Sequence, residues 1–305
     1  MNHLLTTEGL SRDTLEELLT EADEFSEVLT RPIPKVPALR GKTVATMFFE
    51  PSTRTRMSFE KAAKALSADT VSFSPGTSSL SKGESLKDTA LTVRAMGVDL
   101  MVVRHKETGA PWRIAEWLDI PIVNGGDGAH QHPTQALLDC LTIKQRFGSL
   151  DGLRIAIVGD IKHSRVARSN IFAMATLGAL VTLVGPPTLL PLDPDAWPVT
   201  TSTDIDSVLD ELDVVYLLRV QTERGGGSVF PSLTEYTTRF GMTTERFDRL
   251  HPDAVVMHPG PMNRGVEIGH DVADHERSLV LEQVTNGVAA RMAVLFALLG
   301  GDHDA

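Results

Sequence analysis

Residues 43–66, TVATMFFEPSTRTRMSFEKAAKAL, place a strand, a turn and a helix in immediate succession, and this order decides the predicted fold. Thr43–Phe49 is a run of apolar and β-branched residues, which is typical of a buried strand. Pro51 ends that run, and apolar residues then recur at three- and four-residue spacing through Thr53–Leu66, which predicts a helix. A buried strand that leads directly into a helix is the repeating unit of α/β proteins.

The same alternation continues along the chain. Apolar runs predict further strands at Thr70–Phe73, Leu100–Val103, Pro121–Asn124, Arg154–Val158, Leu180–Val184, Val214–Leu218 and Ala254–Met257. Helical patterns separate most of these runs, at Glu84–Met96, Pro133–Phe147 and Ser164–Leu177. A further helix, with Ser11 as its N-cap, precedes the first strand. Strands that alternate with helices predict parallel sheets flanked by helices, so we expect the α/β fold class.

The segment 147–152, FGSLDG, marks the predicted domain boundary, because a long helix ends there on turn residues and a new strand follows. A chain of 305 residues is long enough for two such domains. We therefore expect one α/β domain at residues 1–149 and a second at 150–280. The last helical pattern, Leu281–Leu299, could pack on either domain, and we assign residues 281–305 to the first.

Composition excludes several classes of protein. The net charge of −11 argues against a general nucleic-acid binder, which would carry a basic face. The apolar stretch Val288–Leu299 is short and Arg291 interrupts it, so a buried helix is expected there and no membrane partner. Cys140 is the sole cysteine, which excludes an intrachain disulfide and a cysteine-based zinc site. With no signal-like N-terminus, the chain is expected to be cytoplasmic.

Ser52-Thr53-Arg54-Thr55-Arg56 is the first candidate binding element. It brings hydroxyls, backbone N–H groups and a guanidinium to the positive end of a predicted helix, which is the geometry that binds an oxyanion. The alternative is a capped helix with two solvated arginines. The position directly after a buried strand favours a site for a phosphoryl group.

Gln131–Gln135, QHPTQ, is the second candidate, and it follows the glycine-rich run Gly125–Gly128, which we interpret as a turn after a strand. His132 and Gln135 then lie at a helix start near the carboxyl edge of the sheet, where open α/β sheets bind ligands. A neutral imidazole can donate to a carbonyl oxygen, and a Gln side chain can bond an amide. A His packed at a helix start is the alternative. No metal site is expected, because no ligand set surrounds these residues.

Three arginines follow predicted strands at the same topological position, namely Arg104, Arg165 and Arg219. Each one alone is more often a surface residue, but three together indicate anion binding, since the guanidinium fork fits carboxylate or phosphate. Lys82 stands in the Ser/Gly-rich run 74–83, which we interpret as a mobile loop. A solvated lysine is the ordinary alternative there.

Two further segments are considered as possible binding sites, one for a small ligand and one for a dinucleotide. In His258-Pro259-Gly260-Pro261, the Pro and Gly residues favour an extended turn whose carbonyls could accept hydrogen bonds; an ordinary loop is the alternative. The predicted strand Arg154–Val158 ends at Gly159, but the glycine spacing of a dinucleotide fold does not follow it. A nicotinamide cofactor is therefore not predicted.

These motifs together resemble the transcarbamoylases over essentially the whole chain. The ordered set is Ser52–Arg56, Arg104, His132–Gln135 and His258–Pro261. Within that superfamily the pattern is similar to the aspartate carbamoyltransferase catalytic chains. They carry a loop Ser and Lys before Gly-Glu, matched by Ser78, Lys82, Gly83 and Glu84, and an Arg-x-Gln, matched by Arg219-Val220-Gln221. Ornithine carbamoyltransferases usually have His-Cys-Leu-Pro where this chain has His258–Pro261.

The resemblance implies a role for each matched residue. The phosphate of carbamoyl phosphate would be bound by Ser52, Thr53, Arg54 and Thr55. Its carbonyl oxygen would accept from Thr55, Arg104 and His132, and its NH₂ would be held by Gln135 and the carbonyls of Gly260 and Pro261. The carboxylates of L-aspartate would be bound by Lys82, Arg165, Arg219 and Gln221. Arg54, Thr55, Arg104 and His132 are the implied catalytic residues.

The implied reaction is direct attack of the aspartate amine on the carbamoyl carbon, with no cofactor, metal or covalent enzyme intermediate. The resemblance also implies a homotrimer in which Ser78 and Lys82 act in the neighbouring subunit's site; counting back from Lys82 favours Ser78 over Ser79. Pyrimidine biosynthesis is the implied pathway, with a regulatory chain or dihydroorotase as further partners. The alternatives are a transcarbamoylase with another acceptor such as ornithine, a nicotinamide-dependent enzyme, or an inactive scaffold subunit.

Overall fold

The computed structural model describes residues 1–73, 84–220 and 232–300. These residues divide into two compact units. The first unit contains Met1–Leu141 and the chain from Thr285 onward, and the second unit is Thr142–Val284. Each unit is built around its own parallel sheet.

In the first unit, the described strands form a parallel sheet in the order β2-β1-β3-β4. The strands are β1 (Thr43–Phe48), β2 (Asp69–Phe73), β3 (Leu100–His105) and β4 (Ile122–Asp127). The helices are α1 (Arg12–Leu29), α2 (Thr53–Ala65), α3 (Leu86–Ala95), α4 (Ala110–Trp117), the first part of α5 (Pro133–Phe147) and most of α10 (Val280–Leu299).

Helix α1 illustrates how the sequence pattern produces these elements. The Ser11 hydroxyl accepts a hydrogen bond from the Thr14 N–H at 3.1 Å, which satisfies a donor that has no partner within the helix. The apolar residues at three- and four-residue spacing are all buried, namely Leu15, Leu18, Leu19, Ala22 and Phe25. Phe25 packs edge-on against Phe296 of α10 with ring centroids 5.8 Å apart. The last helix therefore packs into the core of the first unit.

In the second unit, the described strands form a parallel sheet in the order β7-β6-β5-β8-β9. The strands are β5 (Arg154–Val158), β6 (Leu180–Val184), β7 (Thr200–Ser202), β8 (Val214–Leu217) and β9 (Val255–Met257). The helices are α6 (Arg165–Thr176), α7 (Leu233–Phe240), α8 (Thr244–Arg249) and α9 (His270–Ala273). Strands β5 and β8 and helices α7 and α8 contribute to one buried apolar core.

Each sheet contains a topological switch point. In the first unit the chain passes from β1 to β2 on one side, and then places β3 on the other side of β1. In the second unit β6 and β7 lie on one side of β5, and β8 and β9 on the other. Open parallel sheets bind ligands beyond the carboxyl ends of the strands that flank such a point. The expected binding positions are therefore the ends of β1 and β3, and the ends of β5 and β8.

The predicted fold class of two parallel sheets flanked by helices is confirmed. One local prediction was wrong: the run Gly125–Gly128 is not a turn over most of its length, because β4 continues to Asp127. A Cβ on Gly125 would lie 3.3 Å from the Val103 carbonyl oxygen. The glycine is thus a strand residue at a close approach of two backbones. Among the described residues, no helix is both long and apolar enough to span a membrane.

Candidate active site

The N-terminus of α2 lies directly after β1, at the switch point of the first sheet. Ser52 is its N-cap with an extended backbone, but the Ser52 side chain makes no capping hydrogen bond. This differs from the other helices whose N-cap is a serine or threonine that accepts from the first turn, namely α1, α3, α6, α7 and α8. The Ser52 hydroxyl is therefore not consumed by capping, at the positive end of the helix where an anion is stabilised.

The first turn of α2 presents its polar groups at different depths. Thr53 and Arg54 are exposed, Ser52 is half-buried and Thr55 is buried. Arg56 points along the helix instead, with its Nε 3.9 Å from Glu60 Oε1. The hydroxyls of Ser52 and Thr53 and the guanidinium of Arg54 are accessible to an oxyanion ligand. Arg56 is engaged within its own helix.

Arg104 lies in β3 opposite Phe48 of β1, so its side chain starts at the end of the neighbouring strand. It is buried, and its Nη2 donates to Glu50 Oε1 at 2.7 Å. Nη1 donates to the Gly125 carbonyl at 3.1 Å. A buried guanidinium needs a charged partner and fixed hydrogen bonds, and both are present. Arg104 is thus held in one orientation by Glu50, which lies two residues before Ser52 in the sequence.

Asp127 organises the connection from β4 to α5, and sequence reasoning gave it no role. Its side chain is fully buried and accepts from Asn124 Nδ2 at 2.8 Å, the Gln131 N–H at 3.0 Å and the Gly109 N–H at 2.7 Å. A buried carboxylate that accepts several hydrogen bonds rigidifies the backbone around it. Asp127 therefore fixes the backbone just before His132. In the sequence, the feature that could have indicated this role is an aspartate directly after Gly125 and Gly126.

His132 directly precedes α5 and Gln135 lies in its first turn, beyond the end of β4. The His132 carbonyl accepts from the Gln135 N–H at 2.9 Å, and the His132 side chain is buried. Gln135 is half-buried, and its Nε2 donates to Asp139 Oδ1 at 3.0 Å. Strands β1, β3 and β4 lie side by side in this order in the sheet. Their carboxyl ends therefore bring residues 52–55, Arg104 and the start of α5 to one edge of the sheet.

Arg291 is a second buried arginine in the first unit, and sequence reasoning used it only to argue against a membrane span. Burial lowers its pKa to about 10, while the charge of Asp139 acts in the opposite direction and that of Arg104 adds to the lowering. Its guanidinium lies 5.1 Å from the Phe59 ring of α2, and its Nη1 donates to the Gly287 carbonyl at 2.7 Å. In the sequence, the feature that could have indicated a buried role for Arg291 is its position within an apolar helical run.

The second unit places its two predicted arginines at the switch point of its own sheet. Arg165 is the first residue of α6, after β5, and it is buried. Arg219 follows β8 and is half-buried. Strands β5 and β8 pair directly. Both guanidinium-bearing residues therefore start from neighbouring strand ends, as the sequence argument requires for an anionic ligand.

The turn at 258–261 is held by a buried pair. His258 Nδ1 accepts from the Gly260 N–H at 2.8 Å, so the imidazole carries its hydrogen on Nε2, which lies 3.2 Å from Glu267 Oε1. Glu267 also accepts from the Asn263 N–H at 2.5 Å, and Asn263 Nδ2 donates to the Val220 carbonyl at 3.0 Å. The turn is thereby connected to the residue after Arg219.

Some predicted site residues fall outside the described part of the chain, namely Ser78, Lys82 and Gln221. Within residues 1–73, 84–220 and 232–300, no group of three or more His, Cys, Asp or Glu side chains is arranged to hold a metal ion.

Both units match known protein families. Residues 2–145 match the family described as "Aspartate/ornithine carbamoyltransferase, carbamoyl-P binding domain", and residues 151–298 match the corresponding "Asp/Orn binding domain". The aspartate carbamoyltransferase catalytic subunit of Thermobifida fusca is 58% identical over 301 residues, covering 99% of this chain and 96% of that protein. The Nocardioides protein of the same name is 59% identical, with 99% and 96% covered.

Solved structures give the same result. Aspartate transcarbamoylase from Trypanosoma cruzi, in complex with N-(phosphonacetyl)-L-aspartic acid, superposes with a TM-score of 0.89 at 31% identity, covering 98% of this chain and 96% of that one. The catalytic subunit of M. jannaschii aspartate transcarbamoylase gives 0.86 at 35% identity, with 100% of both chains covered. The chain belongs to the aspartate/ornithine carbamoyltransferase family.

Proposed function

We propose that this chain is an aspartate carbamoyltransferase, which transfers the carbamoyl group of carbamoyl phosphate to the amine of L-aspartate and releases phosphate. The observation that carries the proposal is the helix start at residues 52–55, whose N-cap side chain is not used for capping, beside the fixed guanidinium of Arg104. Relatives that are 56–59% identical bear the name aspartate carbamoyltransferase catalytic subunit, which supports the same activity.

The phosphate is assigned to the start of α2. Ser52, Thr53 and Thr55 provide hydroxyls there, and Arg54 provides an exposed guanidinium. Backbone N–H groups of the first helical turn lack partners within the helix and carry a partial positive charge. A phosphate dianion is the ligand that uses all of these groups together.

The carbamoyl group is assigned to the ends of β3 and the start of α5. Arg104, His132 and Thr55 donate to its carbonyl oxygen, on which negative charge develops during the reaction. Gln135, with the carbonyls of Gly260 and Pro261, accepts from its NH₂. Donors that are already fixed, as Arg104 is by Glu50, stabilise the developing oxyanion without reorganisation during the step.

L-Aspartate is assigned to the second unit, with Arg165, Arg219 and Gln221 as ligands and Lys82 as a further cation. Aspartate brings two carboxylates to a phosphate that already carries about two negative charges, and this repulsion must be neutralised. Arginines suit the task because a guanidinium binds a carboxylate with two parallel hydrogen bonds.

The reaction then proceeds at the carbamoyl carbon through a tetrahedral intermediate. The amine lone pair of aspartate forms the new C–N bond, and the carbonyl π pair moves to oxygen, which Arg104 and His132 stabilise. The pair then returns, the C–O bond to phosphate breaks, and phosphate takes the amine proton as it leaves. The protein contributes orientation and oxyanion stabilisation.

The assembly and setting are proposed from the family resemblance. Residues 1–149, with the last helix, bind carbamoyl phosphate, and residues 150–280 bind aspartate. The chain acts as a homotrimer in which Ser78 and Lys82 reach the neighbouring subunit's site, and it serves pyrimidine biosynthesis with a regulatory chain or dihydroorotase as a further partner. A single buried free cysteine, Cys140, supports a cytoplasmic location.

Phosphate release tests the proposal, with carbamoyl phosphate as donor and either L-aspartate or L-ornithine as acceptor. We expect release that depends on aspartate and is absent with ornithine. Aspartate carries a carboxylate where ornithine carries an ammonium, and Arg165 and Arg219 repel the latter. Release that depends on ornithine instead would show the sibling activity of the same family.

A further inference from the structure

We propose that Asp139 is a positioning residue that fixes the side-chain amide of Gln135, so that the amide oxygen recognises the NH₂ of carbamoyl phosphate. This inference deepens the proposed function and rests on it. Asp139 lies outside the motifs that match the family, and the substrate feature that it helps to select is the NH₂ group.

The geometry defines the orientation of the amide. Gln135 and Asp139 are four residues apart on α5 and therefore lie on the same helix face. Gln135 Nε2 donates to Asp139 Oδ1 at 3.0 Å. An ionised carboxylate only accepts hydrogen bonds, so a half-turn of the amide would place two acceptor oxygens against each other. The NH₂ of Gln135 is thus committed to Asp139, and its oxygen remains as the group for a ligand.

A buried cation accompanies Asp139. Its side chain is fully buried, and a buried carboxylate requires a cation close by. Arg291 of α10 is that cation: it is itself buried, and the charge of Asp139 favours its protonated form. Arg291 is held in turn by the Gly287 carbonyl and by the Phe59 ring. The carboxylate that orients Gln135 is therefore anchored from a different helix.

The chemical consequence is discrimination at the carbamoyl nitrogen. Carbamoyl phosphate presents an NH₂ donor to the Gln135 oxygen. Acetyl phosphate has a methyl group at that place and leaves the oxygen without a donor. A site built around a hydrogen bond rejects the analogue that lacks it, because the polar group of the protein is then buried unpaired. If the amide could turn freely, either end could face the ligand and this selectivity would fall.

The test is the variant Asp139→Asn in the full-length protein. An asparagine can either donate or accept, so both orientations of Gln135 gain a partner. We measure the KM for carbamoyl phosphate and the inhibition constant for acetyl phosphate as a competitor. Loss of a hydrogen bond predicts that the KM for carbamoyl phosphate rises about tenfold, with little change in the inhibition constant for acetyl phosphate. The ratio of the acetyl phosphate inhibition constant to the carbamoyl phosphate KM should therefore fall about tenfold. The matched control Asp119→Asn, on an exposed carboxylate, should leave the ratio unchanged.

A double variant separates positioning from a general structural role. Gln135→Met removes the acceptor and should lower the same ratio, and adding Asp139→Asn to it should lower the ratio no further. A purely structural Asp139 would weaken both ligands equally and would do so in either background. An unchanged ratio in Asp139→Asn, with active wild-type enzyme, overturns the inference. Wild-type enzyme without carbamoyl transfer contradicts the proposed function instead.

If Asp139→Asn does not fold, the wild-type protein offers a second measurement. The ¹⁵N side-chain amide signal of Gln135, assigned by its loss in Gln135→Met, should exchange slowly with solvent because its NH₂ is bonded to Asp139. It should remain slow when carbamoyl phosphate binds. Fast exchange in the protein without ligand, or a switch in protection when ligand binds, would contradict the fixed orientation.

Discussion

The two units share one architecture, but the ligands proposed for them differ. In the first unit the described contacts fix the Arg104 guanidinium, which donates to Glu50 and to the Gly125 carbonyl. In the second unit the backbone beside Arg219 is fixed, through the bond from Asn263 to the Val220 carbonyl. A donor aimed at the oxygen on which charge develops stabilises the transition state, whereas a cation that holds a carboxylate of the acceptor contributes mainly to binding. The first unit should therefore control the chemical step, and the second the affinity for the acceptor.

The largest expected effect is that of Arg104→Ala. It removes a proposed oxyanion donor and leaves Glu50 without its cation, so kcat should fall by about 10²–10³. Steady-state phosphate release at saturating substrates measures it. The exposed Arg113→Ala is the matched control and should retain wild-type turnover. A decrease in kcat of less than tenfold for Arg104→Ala would show that this guanidinium does not serve the chemical step.

Arg219→Ala should give a different pattern. Loss of a charge-assisted hydrogen bond to a carboxylate should raise the KM for aspartate by about 10–100-fold. The affinity for carbamoyl phosphate, measured without aspartate, should stay within about twofold, since its proposed phosphate ligands lie in the first unit. Arg239→Ala, an exposed arginine of the second unit, is the control. Equal losses for both substrates would remove the proposed division of labour.

Glu267→Gln should have a smaller effect, on the backbone of the second unit. His258 Nε2 and the Asn263 N–H both bond to the same oxygen, Glu267 Oε1, and an amide oxygen accepts these bonds without the negative charge that strengthens them. The free energy of unfolding in urea should fall by about 1–3 kcal/mol, and the KM for aspartate should rise severalfold. Glu245→Gln, an exposed carboxylate of α8, should change neither quantity. Unchanged stability in Glu267→Gln would show that the pair does not hold the turn.

The smallest effect concerns Cys140 in the first unit. Burial raises the pKa of its thiol, and the neighbouring Asp139 charge adds to the rise, so the reactive thiolate is suppressed. Iodoacetamide at neutral pH should leave the native protein unlabelled and its activity unchanged, while the protein in urea should label fully. Mass spectrometry measures the fraction labelled. Rapid labelling of the native protein would show that the first unit opens readily.

Local patterns were sufficient to predict where the first candidate site lies in the fold. Ser52–Arg56 stands directly between a strand and a helix, so chain continuity alone places it at the carboxyl edge of the sheet. Arg165 and Arg219, which follow β5 and β8, were located in the same way, whereas Arg104 lies within β3, which continues two residues beyond its predicted end. Each of these predictions depends on a few adjacent residues, whose arrangement is set by the element that precedes them.

The supporting residues could not be predicted, because their partners are distant in sequence. Arg104 and Glu50 are 54 residues apart, and Arg291 is coupled to an aspartate on another helix. The continuation of β4 through Gly125 was missed because glycine usually signals a turn, while here it permits a close approach of β3. The short edge strand β7 was missed because its residues are largely exposed and show no apolar run.

Transfer of a labelled carbamoyl group tests the central claim most directly. Carbamoyl phosphate labelled with ¹³C at the carbonyl is incubated with L-aspartate and wild-type enzyme, and the products are followed by NMR. The account predicts that the label appears in N-carbamoyl-L-aspartate in proportion to the phosphate released, and that Arg54→Ala abolishes most of this product. Phosphate release without labelled carbamoyl-aspartate, or equal product from Arg54→Ala, would contradict it.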